Sequence, residues 1–409
     1  MMTASASDTV IVGAGPSGSF TALSLARLGI RSDIFEEHSE IGVPSHCSGH
    51  LSIKGLRLLG LHPLPKRIVE NVFYGAVFHP PNGKSLHVRF QLPVTCSVNR
   101  TLFDRYIADA AARAGAVLFT NSTVESLVIR RGVVAGVIVR SGRSRRKILT
   151  KLVVDSEGVS QRILRQTSLP PLNPQMLMKA VQAEVDRVND VEMDMVEIFV
   201  GSDYAPGFYA WLIPRDDGTA KIGLASRTGN PRNFLERLMK KHPVASRKLG
   251  RARIERTSFH SITLGGPISK SFCNGMLVTG DAASQVKPTT GGGVIFGMTC
   301  ARVASEVACK AIRMDDASSN LLSSYQDRCE RLWGTEVALM LRLRRMMNAA
   351  SDDLIDNVTN FCVRVRLDKA LRNFGDIDFL GRSFLWNLKR PRVSLSILHL
   401  LLSYLLANK

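Results

Sequence analysis

Thr9-Val10-Ile11-Val12-Gly13-Ala14-Gly15-Pro16-Ser17-Gly18 decides the fold. A short apolar run ends in a glycine turn, and Ser19 to Leu28 then repeats apolar residues at helical spacing until Gly29. The order is strand, turn, helix. Gly13 permits the tight turn, Gly15 lets a pyrophosphate approach bare backbone, and Gly18 lets helix and strand pack closely, while the helix N-terminus faces the phosphate charge. The next apolar run, Arg31 to Phe35, delivers Glu36 23 residues after Gly13, where an acid accepts hydrogen bonds from a ribose diol. This opening segment predicts a dinucleotide-binding α/β domain.

A second feature of the same kind lies far along the chain. Gly275 to Val278 is apolar and runs into Gly280-Asp281-Ala282-Ala283-Ser284-Gln285, followed by Pro288 and Gly291-Gly292-Gly293, after which a helix starts at Val294. An aspartate at a strand end hydrogen-bonds a ribose or ribityl hydroxyl, and bare N–H groups opening a helix suit the electron-rich edge of a flavin. Two such features point to one shared ligand. Between them, strand-like runs at Gly75 to His79, Leu86 to Phe90, Lys179 to Val185, Met195 to Val200, Tyr209 to Ile213 and Lys221 to Ala225 predict an antiparallel sheet. Tyr209 and Trp211 alternate with Ala210 and Leu212, so they share one strand face, either lining a site or packing a core. From residue 321 onward the pattern is helical.

Lys and Arg outnumber Asp and Glu by 54 to 35, and the resulting +19 draws polyanions such as nucleic acid or the phosphates of anionic lipids. No nucleic-acid module and no aromatic–basic interleaving accompany these residues, so a peripheral membrane surface is the expected partner and nucleic acid is not. The seven cysteines include no C-x-x-C pair, which leaves no zinc or iron–sulfur site in view and reads as free thiols in a reducing, cytoplasmic compartment. Met1 to Asp8 is polar and lacks the apolar core of a secretion signal. Val393 to Leu406 is almost wholly apolar, yet its 14 residues span only about 21 Å, short of the roughly 30 Å of bilayer hydrocarbon. Flanked by Lys389, Arg390, Arg392 and Lys409, this stretch is expected either to lie among lipid headgroups or to cap the core.

The glycine turn with Glu36, Arg100 in Asn99-Arg100-Thr101-Leu102-Phe103-Asp104, and Gly280-Asp281 together resemble the GR2-type flavin-binding fold of the para-hydroxybenzoate hydroxylase group. Three segments resemble the geranylgeranyl reductase family, with its digeranylgeranylglycerophospholipid reductases. They are Ile41-Gly42-Val43-Pro44-Ser45-His46-Cys47-Ser48-Gly49, Gly207-Phe208-Tyr209-Ala210-Trp211-Leu212-Ile213-Pro214, and Gly280-Asp281-Ala282-Ala283 with Pro288 and its glycines. The likeness covers approximately residues 8 to 310, and its Y-x-W-x-x-P segment discriminates best.

The resemblance implies non-covalent FAD, lined by Ala14, Gly15, Glu36, Arg100, Val124, Asp281, Gly292, Gly293 and Val294 beside the turn residues Gly13 and Gly18, and by Cys47, Ser48 and Gly49. Arg100 suits the role as a planar, permanently charged donor, whereas Val124 would act through its backbone. Cys47 would lie near the flavin ring and a lipid tunnel, positioning substrate or donating a proton; by residue type alone it is equally a buried structural thiol. Tyr209 and Trp211 would stand in the wall that receives a prenyl chain. Two departures, Ser156-Glu157-Gly158 in place of the usual Asp-Gly and Lys287 in place of a neutral polar residue, bear on substrate and rate rather than on FAD.

The implied architecture combines α/β and α+β parts. A discontinuous Rossmann-like FAD-binding domain takes residues 1–70, 97–170 and 271–320, an antiparallel-sheet substrate domain takes 71–96 and 171–270, and a helical region with membrane contact takes 321–409. The implied activity is reduction of carbon–carbon double bonds in geranylgeranyl chains of archaeal isoprenoid lipids or their precursors, by hydride from reduced flavin and a proton from an acid or water. The same fold supports two rivals, an FAD-dependent monooxygenase of a lipophilic substrate and a non-catalytic isoprenoid-binding flavoprotein. No second glycine motif for a nicotinamide is present, which leaves the electron donor between ferredoxin, NAD(P)H and another carrier.

Overall fold

Thr9, Val10 and Ile11 are fully buried and Val12 nearly so, as the middle of a parallel sheet covered on both faces requires. In the computed structural model, which describes residues 7–371, 391–396 and 399, strand Thr9–Val12 lies between Ser32–Phe35 and Leu152–Asp155, with Val12 level with Phe35 and Asp155. The sheet has six strands in the order Phe272–Cys273, Met276–Val278, Leu152–Asp155, Thr9–Val12, Ser32–Phe35, Val117–Phe119, parallel throughout except at the first pair. Helix Pro16–Arg27 packs against helices Arg100–Arg113 and Val294–Arg313. An antiparallel sheet of Ser122–Arg130, Val133–Ser141 and Ser144–Leu149, absent from the sequence expectation, places Val124, Val137 and Val139 in one apolar core with Val10 and Val153.

These elements belong to the first of two compact units, formed by Met1–Ser45, Arg100–Leu177 and Thr263–Val337. The second unit, His46–Asn99, Met178–Ile262 and Ala338–Lys409, holds a seven-stranded sheet. Its order is Arg253–Thr263, Leu177–Asp186, Ala220–Ser226, Ala210–Pro214, Met195–Phe199, Gly75–His79, Leu86–Arg89. From Leu177–Asp186 to Leu86–Arg89 the neighbours are antiparallel except for Met195–Phe199 with Gly75–His79. The edge strand Arg253–Thr263 escaped the sequence reading because its residues are mostly exposed and polar, without apolar alternation. One sheet face buries Val181, Ala183, Val185, Leu212, Ile222 and Leu224 with residues of helices Pro231–Lys241 and Ala245–Leu249. Asn230 caps the first of these helices by accepting the Arg232 N–H at 3.0 Å, and Pro231 opens it. A second antiparallel sheet joins His50–Ser52 and Val69–Phe73 to Thr95–Val98.

The division differs from the expected domain boundaries most widely at residues 46–70 and 321–409, while 97–99, 171–177 and 263–270 also fall in the other unit. Residues 46–70 group with the second unit because His50–Ser52 and Val69–Phe73 both pair with Thr95–Val98. Helix Ser319–Ala349 is divided at Val337, so residues 321–409 do not form a body of their own. Helices Asp352–Arg364 and Leu367–Leu371 follow it. Most of the apolar stretch at Val393 to Leu406, with Lys389, Arg390 and Lys409, lies outside the described residues. Among the described residues no helix is long and apolar enough to cross a membrane.

Asp155 ends its strand fully buried. Its Oδ1 accepts the Glu157 N–H at 3.0 Å, while Oδ2 has no hydrogen-bond partner among the described residues. Burial first, then the charge of Glu157, hold this carboxyl well above the usual carboxylate range. The folded state thus keeps a proton that the unfolded chain releases near about pH 3.9, so stability falls as pH rises from there to the raised folded pKa. Asp155→Asn removes that dependence. Melting followed by circular dichroism between about pH 4 and 8 should fall more steeply for the wild type than for the variant, and parallel curves would exclude this role for Asp155.

Candidate active site

Three glycines of the first turn serve different ends. A Cβ on Gly18 would stand 2.0 Å from Gly13 O, and one on Gly13, whose φ is +87°, would stand 2.7 Å from Ser156 O, so packing alone forbids side chains there. A Cβ on Gly15 would meet nothing within 4 Å. Gly15 is the N-cap of helix Pro16–Arg27, where no side chain caps the helix and no acid occupies its first turn. An open backbone at the positive end of a helix fits a pyrophosphate. Beside it the Ala14 N–H donates to Glu36 Oε2 at 2.8 Å, while Glu36 Oε1 accepts the His38 N–H at 3.0 Å. The acid predicted for the ribose is therefore held against the glycine turn.

The second motif converges on the first. A Cβ on Gly280 would stand 2.6 Å from Ser17 Oγ, and one on Gly297 would stand 3.1 Å from Gly280 Cα. A buried relay clamps the turn. Tyr325 Oη donates to Val278 O at 2.9 Å, Gln285 Nε2 donates to Tyr325 Oη at 2.6 Å, and Gln285 Oε1 accepts the Gly280 N–H at 2.8 Å. Asp281 Oδ1 lies against Gly293, whose Cβ would come within 2.8 Å of it, at the N-cap of helix Val294–Arg313. Desolvation raises the Asp281 carboxyl, and the charge of Arg100 opposes the rise. Arg100 grips Asp104 with Nε at 2.9 Å and Nη2 at 2.8 Å.

Three further expectations meet the structure here. Gly292 is exposed and donates its N–H to Thr290 Oγ1 at 3.4 Å. The Val124 side chain is buried in the core, and the residue is level with Val139 on the neighbouring strand. In the departure at Ser156-Glu157-Gly158, Glu157 Oε1 accepts the N–H groups of Ile163 and Leu164, each at 2.9 Å, so its carboxylate holds the following turn in place. Lys287 is buried.

In the second unit, strand registry brings Gln182 and Trp211 level with Gly223 on neighbouring strands. A Cβ on Gly223 would stand 2.5 Å from Trp211 Cζ2, so the indole lies flat where only glycine fits. Trp211 Nε1 donates to Gln182 Oε1 at 3.3 Å, and Gln182 Nε2 donates to the Cys47 carbonyl at 3.4 Å. Cys47 and Trp211, far apart in sequence, are thereby joined through one buried side chain. The half-buried Cys47 Sγ accepts the Gly49 N–H at 3.5 Å. Lys221 Nζ donates to the Ser48 carbonyl at 3.1 Å.

Tyr209 precedes strand Ala210–Pro214 rather than lying in it, yet its ring meets that of Trp211 edge to face at 6.1 Å and stacks on Phe208 at 4.2 Å. Burial pushes the Tyr209 phenol above its usual value. Arg344 lies over Phe208 at 5.1 Å and donates to Gly207 O at 2.6 Å, and its own burial lowers it to about 10. Gln182, Lys221, Gly223 and Arg344 were missed by the sequence reading. For Gln182 and Lys221 a signal existed, since each is a polar residue inside an apolar strand run.

The family described as FAD binding domain matches residues 6–337. The chain is 32% identical over 353 residues to digeranylgeranylglycerophospholipid reductase 2 of Methanopyrus kandleri, covering 85% of this chain and 88% of that protein. It is 33% identical to the enzyme of the same name from Methanothermobacter thermautotrophicus, covering 85% and 90%. The chain belongs to the digeranylgeranylglycerophospholipid reductase family. This reductase is accordingly an FAD-dependent oxidoreductase. Its fold matches the solved structure of a geranylgeranyl bacteriochlorophyll reductase-like protein from Thermoplasma acidophilum, with TM-score 0.85 and 23% identity over 97% of this chain and 99% of that one. A myxobacterial chondrochloren halogenase shares the fold at TM-score 0.71 and 17% identity, over 97% of both chains.

The glycine geometry separates two packed positions, Gly13 and Gly18, from an open one, Gly15. Gly15→Ala should leave the melting temperature of flavin-free protein unchanged and weaken FAD binding by about tenfold or more, read from flavin fluorescence titration. Gly18→Ala should lower the melting temperature of the flavin-free protein itself. Equal effects of the two substitutions would remove the distinction.

Proposed function

We propose that this reductase saturates carbon–carbon double bonds in the geranylgeranyl chains of glycerophospholipids or of their isoprenoid precursors. The observation that carries the reading is the line from Trp211 through Gln182 to Cys47, which sets rigid aromatic surface and a thiol segment on one network. The names of the relatives support the lipid as substrate. Bound FAD, once reduced, supplies the electron pair and one of the two hydrogens that an alkene takes up. The Gly15 backbone and the helix start behind Gly13 and Gly18, with the Ala14 backbone beside them, would hold its pyrophosphate. Glu36 would accept from the ribose, and Asp281 from a ribityl or ribose hydroxyl. Arg100 would supply charge, and the backbones of Val124, Gly292, Gly293 and Val294 would complete the cradle in the first unit. Tyr209 and Trp211 offer flat apolar surface to the prenyl chain and keep water from it. Cys47 Sγ positions the alkene or passes it a proton.

An unactivated alkene is a poor acceptor, so the residues contribute alignment more than charge. The decisive experiment is anaerobic: the dithionite-reduced protein is mixed with geranylgeranyl-bearing glycerophospholipid, and flavin absorbance and lipid mass are followed together. Flavin reoxidation with the lipid gaining hydrogen in pairs is the expected result. Neither change would overturn the reading in favour of a carrier, and oxygen-dependent gain of one oxygen would favour a monooxygenase.

The same reading places the protein at a membrane surface, in the cytoplasm. Lys240, Lys241, Arg247, Arg251, Arg253 and Arg256 are exposed, and among the described residues none has an acidic side chain within ion-pair distance. At about 1 kcal/mol per cation near an anionic leaflet, replacing Lys240, Lys241 and Arg247 by Ala should cut binding to phosphatidylglycerol vesicles by roughly 100-fold. Binding to neutral vesicles should stay as it was. Sedimentation at rising salt checks this, and an unchanged partition would exclude that surface.

A further inference from the structure

Lys221 is buried in the middle of the sheet of the second unit, a place where an ammonium needs a specific reason to be. Its three N–H donors meet three acceptors: Glu70 Oε2 at 2.5 Å, Ser48 O at 3.1 Å and Val98 O at 3.2 Å. Glu70 is shared with Arg215, whose Nε lies 3.4 Å away, and Arg215 in turn reaches Glu184 at 3.1 Å. Glu184 is level with Lys221 on the neighbouring strand, so the chain of charges alternates in sign and sums to zero. Desolvation lowers the Lys221 ammonium, and Glu70 opposes that shift.

The consequence falls on the turn at residues 47–49. Its three successive carbonyls are each held by a donor. Cys47 O accepts from Gln182 Nε2 at 3.4 Å, Ser48 O from Lys221, and Gly49 O from the Val98 N–H at 2.9 Å. Lys221 also grips Val98 O, so one ammonium joins the turn to the strand that receives it. With the carbonyls fixed, the Gly49 N–H points back at Cys47 Sγ. A pair serving only to neutralise two charges would not need both carbonyls.

We propose that Lys221 is a positioning residue, which through the Ser48 carbonyl fixes where the Cys47 thiol stands during lipid reduction. The proposal rests on the reading of the Cys47 segment as part of the reducing site. Its test uses Lys221→Met and the paired variant Lys221→Met/Glu70→Leu, in which an apolar pair replaces the buried charges and keeps the fold. Full-length protein with FAD bound is compared by hydrogen exchange of the 46–50 backbone and by kcat and KM for the lipid. The expected result is exchange at 46–50 faster by about tenfold, kcat lower by about tenfold and KM within about twofold, since a misplaced group costs rate rather than binding. Lys221→Arg, which keeps a cation and several donors, should recover part of kcat. Exchange at 46–50 unchanged in a folded paired variant would overturn the proposal, as would faster exchange with unchanged kcat. If the wild type reduces no lipid, the functional reading fails, and hydrogen exchange alone then decides whether Lys221 holds the turn.

Discussion

The contact between Gly18 and the Gly13 carbonyl is the constraint on which the first unit depends. A Cβ on Gly18 would lie 2.0 Å from that oxygen, so no other residue lets helix Pro16–Arg27 start so near the strand end. Because the helix starts there, Ser17 reaches the turn at Gly280, and Gly297 of helix Val294–Arg313 closes on the same spot. Two motifs separated by most of the chain are thereby drawn to one point. No side chain caps the helix behind Gly15, and an anion would be favoured at that end of it. Close packing and an open helix start thus have one origin, the missing side chains of the turn.

The second unit is organised by polar groups inside an apolar sheet. One face is plain core, with Val181, Leu212 and Ile222 among its residues. Registry puts Gln182, Glu184, Trp211, Lys221 and Gly223 on positions alternate to these. Removing one partner of a buried ion pair costs about 3–5 kcal/mol, yet replacing the whole pair by apolar residues is often neutral or stabilising. Stability therefore does not account for the Lys221–Glu70 pair. Holding a turn through its carbonyls does, because aliphatic side chains offer no donors.

Much of the first unit was legible because its chemistry is local. Gly13, Gly15, Gly18 and Glu36 follow from a strand, a turn and a helix in order, and Asp281 from a strand end. Their convergence was inferred from the need for one ligand, and the contact of Ser17 with Gly280 gives it a geometry. In the second unit the strand runs were legible through apolar composition, while the edge strand Arg253–Thr263 was not, since an exposed edge needs no apolar alternation. Residues 46–70 group with the second unit, unlike the expected boundary, because strand pairing is a long-range property: the sequence between 46 and 70 does not state that its partner is Thr95–Val98. Gln182, Lys221 and Gly223 were missed for the same reason. Each is ordinary by itself and acquires meaning only from what registry places beside it.

Many flavoproteins share such a fold, and the fold therefore says little about which bond is changed. What a reductase of isolated alkenes requires is unusual in one respect, since the substrate offers no carbonyl, phosphate or other polar group at the reacting carbons. No oxyanion cradle or general base can be read from the substrate side, and recognition must come from shape. The Trp211 indole against Gly223 and the Tyr209 ring edge-on to it are rigid apolar surface of the kind such recognition would use. Positive charge without an ion-pair partner among the described residues lies on exposed residues such as Lys240, Lys241 and Arg247, where it could act on the phosphate end of a lipid or on the leaflet that carries it. A long molecule with one polar end would call for both kinds of surface, rigid apolar walls for its chain and cations for its head.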